Sequence, residues 1–199
     1  MFHQIPKPVL DRMHELEEID TRDRQDGTPH IQRLRQIPAE SGRVLAFLAA
    51  SAPTEGAWLE IGTSAGYSTL WLSLAARLRG KAITTFELLP AKAALAKETF
   101  KAAKVGGLVE LKNGDARGHI SDYVEIAFCF LDAEKEMYAE FYERINPHLI
   151  PDGLLVADNV ISHRQELAKF RSMVEEDETI DHITLPVGKG MLVCRKLRT

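Results

Sequence analysis

The sequence predicts an α/β fold: a mostly parallel seven-stranded sheet with helices on both faces and a C-terminal antiparallel hairpin. Three observations carry that expectation. From Gly56 onward, short apolar runs alternate with longer amphipathic ones, the pattern of repeated strand–helix units. The short runs are apolar nearly throughout, as strands buried on both faces require. The last two are joined only by Pro186-Val187-Gly188-Lys189-Gly190. A parallel return needs a dozen or more residues, so these two must be antiparallel neighbours.

A chain of 199 residues is most simply one domain, with residues 1–37 as an N-terminal helical arm or lid and 38–199 as the core. The net charge of −4 gives no general attraction to a phosphate backbone, so nucleic acid is not the default partner. No apolar run approaches the ~20 residues of a membrane helix. The opening Met1-Phe2-His3-Gln4-Ile5-Pro6 lacks the charged-then-apolar layout of a secretory leader. Cys129 and Cys194 sit inside apolar runs without metal-ligand spacing, as buried free thiols of a cytoplasmic protein would.

Residues up to about 36 are polar and helix-prone, with Met13, Leu16 and Ile19 as a weak apolar stripe and Arg22, Arg24, Arg33 and Arg35 around a Gly27-Thr28-Pro29 break. They read as a solvated, partly flexible cover. A helix after Pro38 carries Val44, Leu45, Phe47 and Leu48. Strands are expected at 57–61, 82–86, 108–111, 126–131 and 153–157, with helices at 66–79, 90–104 and 137–145. Pro90 suits the first turn of its helix, where no amide donor is lost. Ser162-His163-Arg164-Gln165 has the form of a capping box opening a helix with Leu167, Phe170 and Val174. Strands near 180–185 and 190–195 complete the hairpin.

The chain is organised around Trp58–Ser68, a buried strand, a glycine turn and a helix start. Such a joint aims helix N-terminal amides into a crevice beyond the strand end. As a dinucleotide fingerprint it fails, because Ser64 and Tyr67 stand where glycines must let a pyrophosphate approach. Glu60-x-Gly62-x-x-x-Gly66-x-Ser68 instead resembles the binding loop of class I S-adenosylmethionine-dependent methyltransferases. That resemblance places the methionine end of the cofactor near Glu60, Gly62 and Ser68, with Thr63, Ser64 and Gly66 completing the turn. Glu87, ending the next strand, can accept both ribose hydroxyls, and it serves equally well locally as an acid at a helix N-terminus. By the same resemblance, Asp115 and Ala116 in Asn113-Gly114-Asp115-Ala116 are candidates for the adenine end.

Two further strands end on oxygen donors: Asp132 after Phe128-Cys129-Phe130-Leu131, and Asp158-Asn159 after Leu154–Ala157. In a parallel sheet these ends share one edge, beside the crevice. Three oxygen donors without a Cys pair suit a hard divalent ion, Mg2+ first, with Mn2+ or Ca2+ able to substitute. Asp132-x-x-Lys135-x-x-Tyr138 together with Ala157-Asp158-Asn159-Val160 resembles the metal-dependent O-methyltransferases related to catechol and caffeoyl-CoA O-methyltransferases, over about residues 38–195. The resemblance implies a Rossmann-like methyltransferase sandwich. It also implies Asp132, Asp158 and Asn159 as metal ligands, Asp132 beside the cofactor, and Lys135 as catalytic base or hydroxyl-orienting group. The implied reaction is methyl transfer from S-adenosylmethionine to a hydroxyl of a small catechol-like aromatic. Alternatives are methylation of a hydroxylated tRNA base, supported only by the arginines of the arm, and a non-catalytic S-adenosylmethionine- or S-adenosylhomocysteine-binding module. His163, Arg164 and Lys189 depart from the pattern common in relatives, where small or apolar residues follow the Asp-Asn pair and an acid often stands at the hairpin tip. The arm often covers the acceptor and supports a homodimer in such enzymes.

Overall fold

The computed structural model describes residues 4–198; Met1–His3 and Thr199, and with them part of the stretch read for a leader, lie outside the described residues. Helices α1 (Lys7–Asp23) and α2 (Ala39–Ser51) precede β1 (Ala57–Ile61), α3 (Tyr67–Arg79), β2 (Ile83–Glu87), α4 (Pro90–Ala102) and β3 (Val109–Asn113). Then follow β4 (Ile126–Leu131), α5 (Tyr138–Ile145), β5 (Leu149–Ala157), α6 (Ala168–Glu176), β6 (Ile180–Leu185) and β7 (Met191–Lys196). The sheet order is β3-β2-β1-β4-β5-β7-β6. β1 to β5 run parallel, and β7 pairs antiparallel with both β5 and β6, as the short Pro186–Gly190 connection demands.

The period-two alternation of side chains divides the core between the two faces of the sheet. Trp58, Phe128, Phe130, Leu154 and Val156 pack with α1 to α4 on one face. Their sequence neighbours Leu59, Cys129, Leu131, Leu155 and Ala157 pack with α5 and α6 on the other. Strand order reverses at β1, which has β2 on one side and β4 on the other, so a crevice opens at the carboxyl ends there. Register aligns those ends: Ile61 pairs with Phe86 and Leu131, and Leu131 with Ala157. Among the described residues, no helix is long and apolar enough to cross a membrane.

Three local expectations need correction. The arm is no loose cover, because Val9, Met13 and Leu16 of α1 are buried in the first core and Arg12 donates to Thr99 of α4. β5 begins at Leu149, four residues before the predicted start at 153, since Pro151-Asp152-Gly153 forms an irregularity within the strand instead of a turn before it. Ser162 caps no helix. Its hydroxyl turns back to Asn159 O and meets His163 Nδ1, while the Ile161 and Ser162 amides donate to Lys189 O, and α6 starts only at Ala168.

Candidate active site at the carboxyl edge of the sheet

The glycine turn is shaped by two close approaches. Gly62 has φ +102°, and a Cβ there would lie 2.3 Å from Asp132 O, so only glycine lets the end of β1 touch the end of β4. Gly66, with φ +89°, caps α3, and a Cβ on it would strike the Phe100 ring of α4 at 2.6 Å. Between them Ser64 takes φ 48°, donates its amide to Glu87 Oε2 at 2.7 Å and its hydroxyl to Leu34 O at 2.8 Å. The turn thereby joins the ends of β1, β2 and β4 with the segment that follows α1.

Glu60 lies beneath this turn and is fully buried. Ser68 and Thr69 of α3 and Thr85 of β2 all donate hydroxyls to its carboxylate, and Thr63 and Thr85 hydroxyls meet at 2.6 Å. Burial pushes the Glu60 carboxyl up to about 7 against the opposing pull of those three hydroxyls. Its place is thus to fix the turn from behind, and Ser68 is turned inward to it. Thr63 is likewise buried.

Glu87 accepts from the Ser64 amide on one oxygen and from the Leu89 amide at 2.8 Å on the other, leaving each oxygen a further lone pair. The end of β3 is tied to it, as Asn113 Nδ2 and the Gly114 amide both donate to Glu87 O. Asp115 is less available, because Arg117 grips its carboxylate through Nε and the main-chain amide and holds it below the usual carboxylate range. Ala116 is buried toward the α5–α6 face.

The second half of the site follows β4 and β5. Asp132 Oδ1 accepts from Asn159 Nδ2 at 2.8 Å and from Lys135 Nζ at 3.1 Å. Lys135 also donates to Ala133 O at 3.0 Å and to the Tyr138 hydroxyl at 2.8 Å, and its ammonium sits 4.7 Å from the Tyr138 ring centroid. Tyr138, wholly buried, donates in turn to Asp158 O at 3.2 Å. Asp158 is 1% exposed, and its Oδ1 has no hydrogen-bond partner among the described residues. Burial first, then the charge of Asp132, pushes its carboxyl up to about 7.

An orphaned carboxylate oxygen, buried beside a second carboxylate, is costly unless a cation meets it. Two acids and one amide make a hard, oxygen-only donor set, which fits a divalent ion such as Mg2+. The third donor is an amide, and no group of three or more His, Cys, Asp or Glu side chains converges among the described residues. Asn159 holds φ 69°, a conformation asparagine tolerates better than most residues.

Several participants were not legible in sequence. Arg35, also at positive φ, pairs with Glu134, next to Lys135, and so clasps the segment after α1 to the loop after β4. Leu34 and Ile37 beside it are buried in the core. Thr69 and Thr85 belong to no motif. Only Tyr138 had a signal, its three-residue offset from Lys135.

The profile of the O-methyltransferase family matches residues 12–197. A catechol O-methyltransferase of Niastella koreensis is 36% identical over 108 residues, 52% of this chain and 48% of that one. Caffeoyl-CoA O-methyltransferase 2 of Zea mays is 26% identical over 165 residues, 70% of this chain and 62% of that one. This chain therefore matches about half to two thirds of the length of these two relatives. Among solved structures, the SAH-bound methyltransferase PaMTH1 of Podospora anserina superposes with a TM-score of 0.76 at 25% identity, over 98% of this chain and 90% of that one. The O-methyltransferase of Bacillus cereus in complex with SAH gives 0.75 at 22% identity over 98% and 93%, a likeness of fold alone. A family match running from within α1 past the end of β7, over a sheet with this crevice, shows that the chain belongs to the O-methyltransferase family.

Proposed function

We propose that the protein transfers a methyl group from S-adenosylmethionine to one hydroxyl of a small catechol-like aromatic, assisted by a divalent ion, Mg2+ first. The observation that carries this reading is the unpartnered, buried oxygen of Asp158, set beside Asp132, Asn159 and Lys135 at the sheet edge that bears the glycine turn. In the reaction the carbon–sulfur bond of the sulfonium breaks in line as a carbon–oxygen bond forms, and the hydroxyl proton must leave. Asp132, Asp158 and Asn159 would hold the ion, which when bound lowers the pKa of a hydroxyl and orients it.

The chain's own residues supply position and dryness. Gly62–Ser68 and Glu87 form the donor side, with Glu60 fixing the turn from beneath. Asp115 and Ala116 stand toward the adenine end. Lys135 Nζ, held by Asp132 Oδ1, Ala133 O and the Tyr138 hydroxyl, is placed as an ammonium to orient the acceptor oxygen, and to take the departing proton once it has released one of its own. The Leu34–Ile37 segment, clasped by Arg35 to Glu134, keeps water from the donor side. Because sulfonium and oxyanion charges disappear together, positioning matters most.

The rival readings have less support. Of the arm's four arginines, Arg24 pairs with Asp20 and Arg35 with Glu134, so half of the charge on which the tRNA reading rests is already met within the chain. A sensor of the cofactor needs no Asp132–Lys135–Tyr138 network. The test is Asp158→Ala and Asp158→Asn. Each should lower methyl transfer to a catechol on the order of 100-fold or more, while calorimetric affinity for S-adenosylhomocysteine stays within about threefold of wild type. Turnover close to wild type in both variants overturns the metal-assisted mechanism.

A further inference from the structure

Lys92 carries a charge that the fold itself leaves unused. It lies in the first turn of α4, the helix end at which the amide dipoles disfavour a cation, and the residue is only 7% exposed. No hydrogen-bond or ion-pair partner meets its ammonium among the described residues. A lysine placed so is costly twice over, by burial and by the helix end, unless something outside the fold meets it.

The turn that opens α4 sets where this side chain goes. Leu89 is the N-cap, Pro90 and Ala91 follow, and Lys92 is the third helical residue. Helix side chains lean toward the N-terminus, and one at this position reaches back to the N-cap amide, as the acid of a capping box does. Here Glu87 Oε1 already holds that amide at 2.8 Å. Lys92 and Glu87 therefore stand side by side at the end of β2 without touching. Their surroundings agree: burial and then Arg35 pull the ammonium below the ordinary lysine range, while Glu87, Glu134 and Asp23 draw it back up. Asp23, 6% exposed, gives Oδ2 to the Leu34 amide at 2.7 Å and leaves Oδ1 unpartnered.

A group seated between Glu87 and Lys92 must donate to a carboxylate and accept from an ammonium. Another carboxylate is repelled by the first and another ammonium by the second, which excludes both charged ends of an amino acid. A neutral hydroxyl satisfies the two together. Resting on the methyltransferase reading above, we propose that Lys92 is a cofactor-binding residue that donates to the oxygen of a ribose hydroxyl whose proton Glu87 accepts. The pair then reads that hydroxyl as donor and acceptor at once.

The test is calorimetric, without acceptor and without turnover. Affinities of wild type and Lys92→Met are measured for S-adenosylhomocysteine and for its 2′-deoxy and 3′-deoxy forms. In wild type, loss of the contacted hydroxyl should cost about 100-fold, because Glu87 and Lys92 both lose a partner. Lys92→Met should bind S-adenosylhomocysteine about tenfold more weakly, and loss of that hydroxyl should then cost it about tenfold less than it costs wild type. Lys92→Gln keeps a neutral donor and should fall between the two, and it carries the comparison if Lys92→Met does not fold. An unchanged affinity for S-adenosylhomocysteine in the variants, or a loss equal for all three ligands as a structural residue would give, overturns the assignment and leaves the cofactor reading standing. If wild type binds none of the three ligands, the reading beneath it fails too.

Discussion

Replacing Glu60 by glutamine should stabilise the protein at alkaline pH and change it far less in acid. The carboxyl is fully buried and its pKa rises from an ordinary 4.5 to about 7. A group held more tightly protonated in the folded state contributes stability below its unfolded pKa and loses it as pH rises through the folded value. Such a rise corresponds to about 3 kcal/mol in full, of which about 2.5 kcal/mol develops between pH 5 and pH 8.

Glutamine is neutral throughout and keeps one acceptor oxygen for Ser68. The hydroxyl rotors of Thr69 and Thr85 can turn to accept from its amide. Urea unfolding of both proteins at pH 5 and pH 8 measures the effect. The stability of Glu60→Gln relative to wild type should increase by about 2–3 kcal/mol between the two pH values. Parallel pH dependence in the two proteins refutes the claim that Glu60 is buried without a compensating cation.

Leu16→Ala should cost about 2–5 kcal/mol by urea unfolding, as a core truncation does, because Leu16 is fully buried; a cost near zero means the arm is not part of the core. Gly62→Ala forces a Cβ into Asp132 O at positive φ, so it should unfold at lower temperature and bind S-adenosylhomocysteine at least about tenfold more weakly by calorimetry. Arg35→Ala breaks the clasp to Glu134 and should speed S-adenosylhomocysteine dissociation severalfold in stopped-flow displacement, with Asp132–Lys135 left intact.

The parallel strands were legible because each is a short apolar run between helical patterns, and the hairpin because five residues cannot support a parallel return. The misreadings share one cause, a partner far away in sequence. Ser162 had a capping pattern, but the amides around it are taken by Lys189 O from the hairpin tip. Pro151-Asp152-Gly153 had the composition of a turn, yet pairing with β4 on both sides keeps it within β5. In α1 the stripe of Met13, Leu16 and Ile19 was visible but looked weak among interleaved charges, Val9 was missed, and the burial of the stripe depends on the faces that α3 and α4 present.

The candidate site divides in the same way. Its glycines and strand-end acids follow from local rules. The burial of Glu60 beneath the turn, the Arg35–Glu134 clasp across 99 positions and the Arg117 grip on Asp115 do not. Asp158 stood out only as half of an Asp-Asn pair, and the orphaned oxygen that makes it informative is a property of packing.

The most direct measurement follows the labelled methyl group of S-adenosylmethionine onto 3,4-dihydroxybenzamide, a neutral catechol, with and without a divalent-ion chelator. Turnover should vanish on chelation and return with added Mg2+, while calorimetry shows S-adenosylhomocysteine bound within about threefold under both conditions. Methyl transfer that persists undiminished in chelator contradicts a metal-assisted reaction at Asp132, Asp158 and Asn159.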